Sequence, residues 1–153
     1  MSAYRELRLN EQAIDLLGRE RLTQLSARKL GQPAMVRDMV LKGLLVESAH
    51  YVCETSGVPR RLFDQVISRS TLRSASKRKS QRLSKRASEA LLRLVRTIAL
   101  AEEVFGDRER AIFWLTTPNP VFEEEAPITL VDTESGTDWV EQTLVRTMHG
   151  VCA

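Results

Sequence analysis

No run in this 153-residue chain approaches the roughly 18–20 consecutive apolar residues that cross a bilayer. The first apolar cluster, Ala13 to Leu17, is interrupted by Asp15, so it does not read as a signal-peptide core. We therefore expect no membrane partner and a cytoplasmic location. Cysteine is nearly absent as well. Cys53 and Cys152 are far apart and fit neither a metal site nor a disulfide framework, which suggests free thiols in a reducing compartment. The two histidines, His50 and His149, are equally distant and near no cysteine pair. There is no H-E-x-x-H, no G-x-S-x-G and no glycine-rich phosphate loop. The seven glycines serve mostly as helix stops. The expectation is a protein that is not an enzyme and holds no cofactor and no metal. The triplet Glu123-Glu124-Glu125 reads as a solvated loop rather than a cation site.

Acids are also missing from one long segment. Residues 58–96 carry twelve Lys/Arg and only two acids, Asp64 and Glu89. Residues 102–142 reverse the sign, with eleven acids against Arg108 and Arg110. A basic middle beside an acidic end suggests two partners, a polyanion for the first and a protein for the second. The 42% hydrophobic content is enough for a core, and 28% charge suits a soluble chain of one domain or two small ones.

Hydrophobic periodicity and turn signals predict an all-α chain. Residues 1–34 read as an N-terminal arm, helical in part, interrupted by Gly18 and Gly31 and disordered over about the first ten residues. Short helices follow at residues 35–42 and at about 45–55, where Val46, Ala49, Val52 and Cys53 mark one face. Pro59 opens a helix over 60–66 with Leu62, Phe63 and Val66 inward. Ser68 then caps a basic helix running from Arg69 to about Lys79, with Leu72 and Ala75 inward and Arg69, Ser70, Arg73, Ser74 and Lys77 outward. Two short helices on a tight turn, the second basic and rich in small residues, make a helix-turn-helix pattern over 35–82. A helix entering a major groove about 12 Å wide needs a slim outer face, and arginine and serine can read base edges from it. The candidate DNA-binding residues are Arg69, Ser70, Thr71, Arg73, Lys77 and Arg78. Residues 74–88 are low in complexity and mark the expected domain boundary, with a loop near Gln81–Ser84 and Ser84 or Ser88 as the next cap. A dense apolar helix from Glu89 to Phe105 then forms the spine of a C-terminal unit, residues 83–153. Asp107 and Thr133 cap its last two long helices, and Trp114 reads as core.

The stretch from Phe105 to Gly150 carries an ordered series of landmarks. These are Phe105-Gly106-Asp107, Ala111 with Trp114-Leu115, Pro118-Asn119, Pro127 with Leu130, Asp132-Thr133, Gly136, Val140, and Leu144 through Gly150. The series resembles the C-terminal toxin-binding domain of the Xre/MbcA/ParS antitoxins. Ser68-Arg69-Ser70-Thr71-Leu72-Arg73 matches the core of the degenerate, Cro/Xre-like helix-turn-helix that this family carries upstream. The resemblance implies a bacterial antitoxin whose partner is a RES-domain toxin that degrades NAD. It also implies binding to its own promoter DNA as a homodimer, which would place it on the nucleoid. The expected toxin contacts are Arg146, His149, Gly150 and Val151, then Pro118 and Asn119. Two departures stand out. Glu123-Glu124-Glu125-Ala126 replaces the glycines common in that loop, and Ser74-Ala75-Ser76 replaces a second arginine and spacer. A stand-alone helix-turn-helix regulator with no toxin partner is the alternative.

Overall fold

The computed structural model describes residues 11–18 and 32–150, so expectations for residues 1–10 and 19–31 lie outside it. Among the described residues the chain is all-α. The helices are α1 (Glu11–Leu16), α2 (Pro33–Lys42), α3 (Val46–Thr55), α4 (Arg60–Val66), α5 (Arg69–Ser76), α6 (Lys85–Phe105), α7 (Arg108–Thr116) and α8 (Glu134–Met148). Two 3-10 segments, Pro120–Phe122 and Pro127–Asp132, lie between α7 and α8.

Local chemistry explains most of these boundaries. Pro33 starts α2, where its missing N–H has no helical partner to lose. Pro59 directly precedes α4. Four side chains cap first turns by accepting from backbone N–H groups: Ser68 from Thr71 at 3.2 Å, Ser84 from Ala87 at 3.2 Å, Asp107 from Arg110 at 2.8 Å and Thr133 from Gly136 at 3.1 Å. Each such cap contributes about 1 kcal/mol.

Helix α6, 21 residues and so about 31 Å long, is the spine. Its buried residues cover most of its circumference, including Leu91, Leu94, Val95 and Ile98, which are fully covered, while Lys85, Arg86, Glu89 and Glu103 keep one strip exposed. So wide an apolar face needs several partners. Here α1, α2, α4, α7, α8 and the second 3-10 segment all pack on it. Residues 11–18, expected to be part of an arm, instead belong to this enclosure. Ala13, Ile14, Leu16 and Leu17 are buried, because four apolar side chains in one short segment need a partner surface.

The region expected to be a boundary is a latch. Leu83 N–H donates to Leu44 O at 2.8 Å and Val46 N–H to Gln81 O at 3.0 Å, a short antiparallel pairing. Arg82 Nη1 donates to Gly43 O at 2.7 Å, and Leu44 N–H to Ser88 Oγ at 2.9 Å. Ser84 is thus the helix cap, and Ser88 is buried as an acceptor for the α2–α3 loop. Gly43 lies against this pairing with φ of 83°, and a Cβ there would collide with the Leu83 carbonyl oxygen. Burying Leu83 and reaching Leu44 require the chain to turn early. Helix α5 accordingly ends at Ser76 rather than near Lys79, and Gln81 takes a left-handed φ of 49°. Buried side chains on both sides of the latch belong to one continuous core.

Candidate functional site

Helices α4 and α5 are joined by only Ile67 and Ser68. Leu62, Phe63, Ile67, Leu72 and Ala75 are buried beneath the pair. That burial leaves Arg69, Ser70, Arg73 and Ser74 on the exposed face of α5, with Lys77 and Arg78 exposed just beyond its end. Ser70, Thr71 and Arg78 come together with Ser74 and Ser84 around a polar cleft of about 290 Å3. Hydroxyls and a guanidinium converging on one hollow suit a phosphate group.

Of the twelve basic residues of this segment, ten are exposed. The other two have internal work. Arg93 donates to the carbonyls of Val131 and Asp132 at 3.3 and 3.1 Å, and Arg96 pairs with Glu141 at 3.2 Å. Burial pushes the Glu141 carboxyl above its ordinary range, Arg96 pulls it back, and Asp138 and Glu134 add to the rise. Asp64 sits under the basic face, paired with Arg60 at 2.8 Å and with Arg69 at 2.6 Å. Burial works against its charge, but the hydrogen bonds from the two arginines outweigh that and hold the carboxyl below its usual range.

The C-terminal bundle is built on an aromatic ladder. Phe105, Trp114, Phe122 and Trp139 follow one another at ring-centroid distances of 5.6, 5.9 and 5.2 Å. Trp114 is half-buried inside this ladder, and packing of this kind holds α7, the first 3-10 segment and α8 together. Asn119 is a structural residue too. Its side chain accepts from Val121 N–H at 2.9 Å, and its backbone pairs with Glu125 at 3.1 Å. Pro118 beside it is exposed. At the end of α8, Arg146, His149 and Gly150 are exposed together, and Val151 lies outside the described residues. Arg146 lies along the helix, with Nη2 donating to Thr143 Oγ1 at 3.3 Å and Nε to Gln142 O at 3.4 Å.

Two aromatic residues on this surface were not singled out by motif. Phe113 is 71% exposed on α7 and Trp139 is 38% exposed on α8. Helical spacing carries the signal. Ala111 and Leu115 point inward, which turns Phe113 outward, and Trp139 shares a stripe with Gln142 and Arg146 at i+3 and i+7. Exposed tryptophan and arginine on one stripe are the residue types that dominate protein interfaces.

The acidic loop takes a backbone conformation that favours glycine. Glu123 and Glu124 have φ of 55° and 66°, in the left-handed region where a Cβ costs roughly 1–2 kcal/mol. Glu124→Gly is therefore expected to stabilise the protein by up to about 1 kcal/mol, after the greater chain entropy of glycine is counted. Thermal unfolding by circular dichroism would show it as a rise of about 2–4 °C, and a fall would mean that the glutamate contributes contacts of its own.

Among the described residues, no group of three or more His, Cys, Asp or Glu could hold a metal ion. No helix among them is long and apolar enough to cross a membrane.

Residues 100–150 match the family described as the antitoxin Xre/MbcA/ParS C-terminal toxin-binding domain. The chain is 36% identical to an antitoxin Xre of Pseudomonas putida over 87 residues, 57% of this chain and 54% of that protein. It thus spans about half the length of that relative. It is 29% identical to an antitoxin Xre of Yersinia enterocolitica over 134 residues, 81% of this chain and 88% of that one. The matched family segment runs from the C-terminal half of α6 through α7, both 3-10 segments and α8. Over residues 100–150 the chain thus resembles the toxin-binding domain of the Xre/MbcA/ParS antitoxins.

Proposed function

We propose that this protein is the antitoxin of a type II toxin–antitoxin pair whose partner is a RES-domain enzyme that degrades NAD, and that it represses its own promoter as a homodimer. The observation that carries the first half is the match of residues 100–150 to a toxin-binding domain. Neutralisation needs no chemistry from the antitoxin, only a segment placed where substrate must enter. The end of α8 suits that task. Arg146 presents a planar fork that pairs with carboxylates or replaces phosphate oxygens in an anion pocket. His149 and Gly150 are exposed beside it, Val151 follows in sequence, and Pro118 is exposed on the same bundle. Trp139 extends the stripe.

The second half rests on the exposed basic face of α5 and the polar cleft beneath it. Helix α5 would enter the major groove by its N-terminal end, with Arg69, Ser70 and Arg73 at base edges. Thr71, Lys77 and Arg78 would meet phosphates. A homodimer would place two such helices about one helical turn apart on an inverted repeat.

Co-expression with a RES-domain toxin tests the reading. Wild type is expected to restore growth and to co-purify with the toxin. Arg146→Ala is expected to weaken the complex by about 2 kcal/mol, some thirtyfold in Kd, measured by titration calorimetry with an inactive toxin. Persistent toxicity with no complex would leave the stand-alone DNA regulator. Full affinity in Arg146→Ala would move the contact elsewhere on the bundle.

A further inference from the structure

Asp64 is an acid in the midst of the basic face, where electrostatics alone would forbid one. A carboxylate facing DNA repels phosphate, so its presence in the most basic part of the chain needs another reason. The geometry supplies it. Asp64 uses both oxygens, Oδ1 toward Arg60 Nε at 2.8 Å and Oδ2 toward Arg69 Nε at 2.6 Å. The acid is largely covered, with 20% of its side chain exposed, whereas Arg69 is 64% exposed. Arg69 is also the first residue of α5, at the end of that helix that would lead into the groove. Its bond to Asp64 is made through Nε. Asp64 therefore does not use the edge carrying its two terminal nitrogens, and that edge can make paired hydrogen bonds to a guanine. Arg60 holds the other oxygen from the start of α4, which fixes the plane of the carboxylate.

Building on the DNA reading above, we propose that Asp64 is a positioning residue for sequence recognition: it aims the fork of Arg69 at a base edge and holds it there. A free arginine loses rotamer entropy on binding, and its flexible head serves phosphates and bases alike. An arginine already locked by a carboxylate favours the one base that matches its fork. The acid thus weakens binding to DNA in general while strengthening binding to one sequence. This differs from a merely repulsive acid, whose removal should tighten binding to every duplex.

The test uses the full chain and a random-core duplex library to select a preferred sequence. Affinities are then measured by fluorescence anisotropy for that duplex and for a scrambled duplex of equal composition. Asp64→Asn is expected to lose about tenfold in affinity for the preferred duplex, with affinity for the scrambled one unchanged or higher. Arg69→Lys keeps the charge but not the fork. It is expected to lose the same preference, and the double variant to be no worse than Arg69→Lys alone. Asp64→Asn tightening both duplexes alike, or Arg69→Lys keeping the full preference, overturns the proposal. A wild-type chain that retains no duplex at low salt overturns the DNA reading itself, a separate outcome from either variant result.

Discussion

Gly136→Ala is expected to lower the stability of the folded protein by about 3 kcal/mol, seen as a fall of about 6–12 °C in Tm. Gly136 lies in the first turn of α8, where the backbone of the preceding 3-10 segment comes in close. A Cβ at this position would run into the Leu130 carbonyl oxygen, with the Leu130 carbonyl carbon and Thr133 Oγ1 each only 2.9 Å away. The first obstacle is backbone, so no side-chain rotation relieves it. Moving α8 outward would also stretch the cap in which Thr133 Oγ1 accepts from Gly136 N–H at 3.1 Å, and the cover that α8 gives α6. Ser135→Ala, one residue earlier and exposed, should leave Tm within about 2 °C, since exposed substitutions cost about 0.5 kcal/mol or less. Equal melting of Gly136→Ala and Ser135→Ala would show that the segment relaxes freely.

The second large effect concerns DNA. Arg69→Ala together with Arg73→Ala should reduce affinity for promoter DNA about a hundredfold at moderate salt, taking each guanidinium interaction as about 1–3 kcal/mol. The slope of log affinity against log salt should change little, because the phosphate contacts assigned to Lys77 and Arg78 remain. Both side chains stand on the exposed face of α5, with Leu72 and Ala75 carrying the packing, so the fold should persist. Toxin capture should be unchanged, because neither residue lies in the stretch matched to the toxin-binding domain. Anisotropy for DNA and co-purification for the toxin read the two outcomes separately. A joint loss of both activities would show that the division of labour is wrong.

The features legible in the sequence were those governed by near neighbours. Ser68, Asp107 and Thr133 cap where they were expected, because a cap needs only a polar side chain and an N–H three residues on. The apolar density of residues 89–105 announced the spine for a similar reason, since no exposed helix tolerates it. What escaped the reading was pairing across long separations. Nothing in the composition of residues 81–83 says that they will bond to residues 43–46, and a run of basic and small residues reads as a linker until Leu83 is seen buried. The clamp on Asp64 was hidden because Arg69 lies five residues away across a turn, outside any helical spacing. Asn119 reads as a contact residue by motif, yet its side chain is committed to its own turn. The exposure of Phe113 and Trp139 was recoverable from periodicity, but family landmarks drew attention to Trp114 instead.

A single spine also governs how the protein fails. Because α6 is enclosed by α4 on one side and by α7 and α8 on others, no seam separates the supports of the two surfaces. An opening of α6 withdraws the footing of both, so a protease that cuts only opened chains would remove both proposed activities in a single event. By the same logic, a ligand that grips α8 lowers the population of the open form everywhere. A toxin bound at α8, as proposed, would then prolong the lifetime of the α5 face proposed to meet DNA, without touching it.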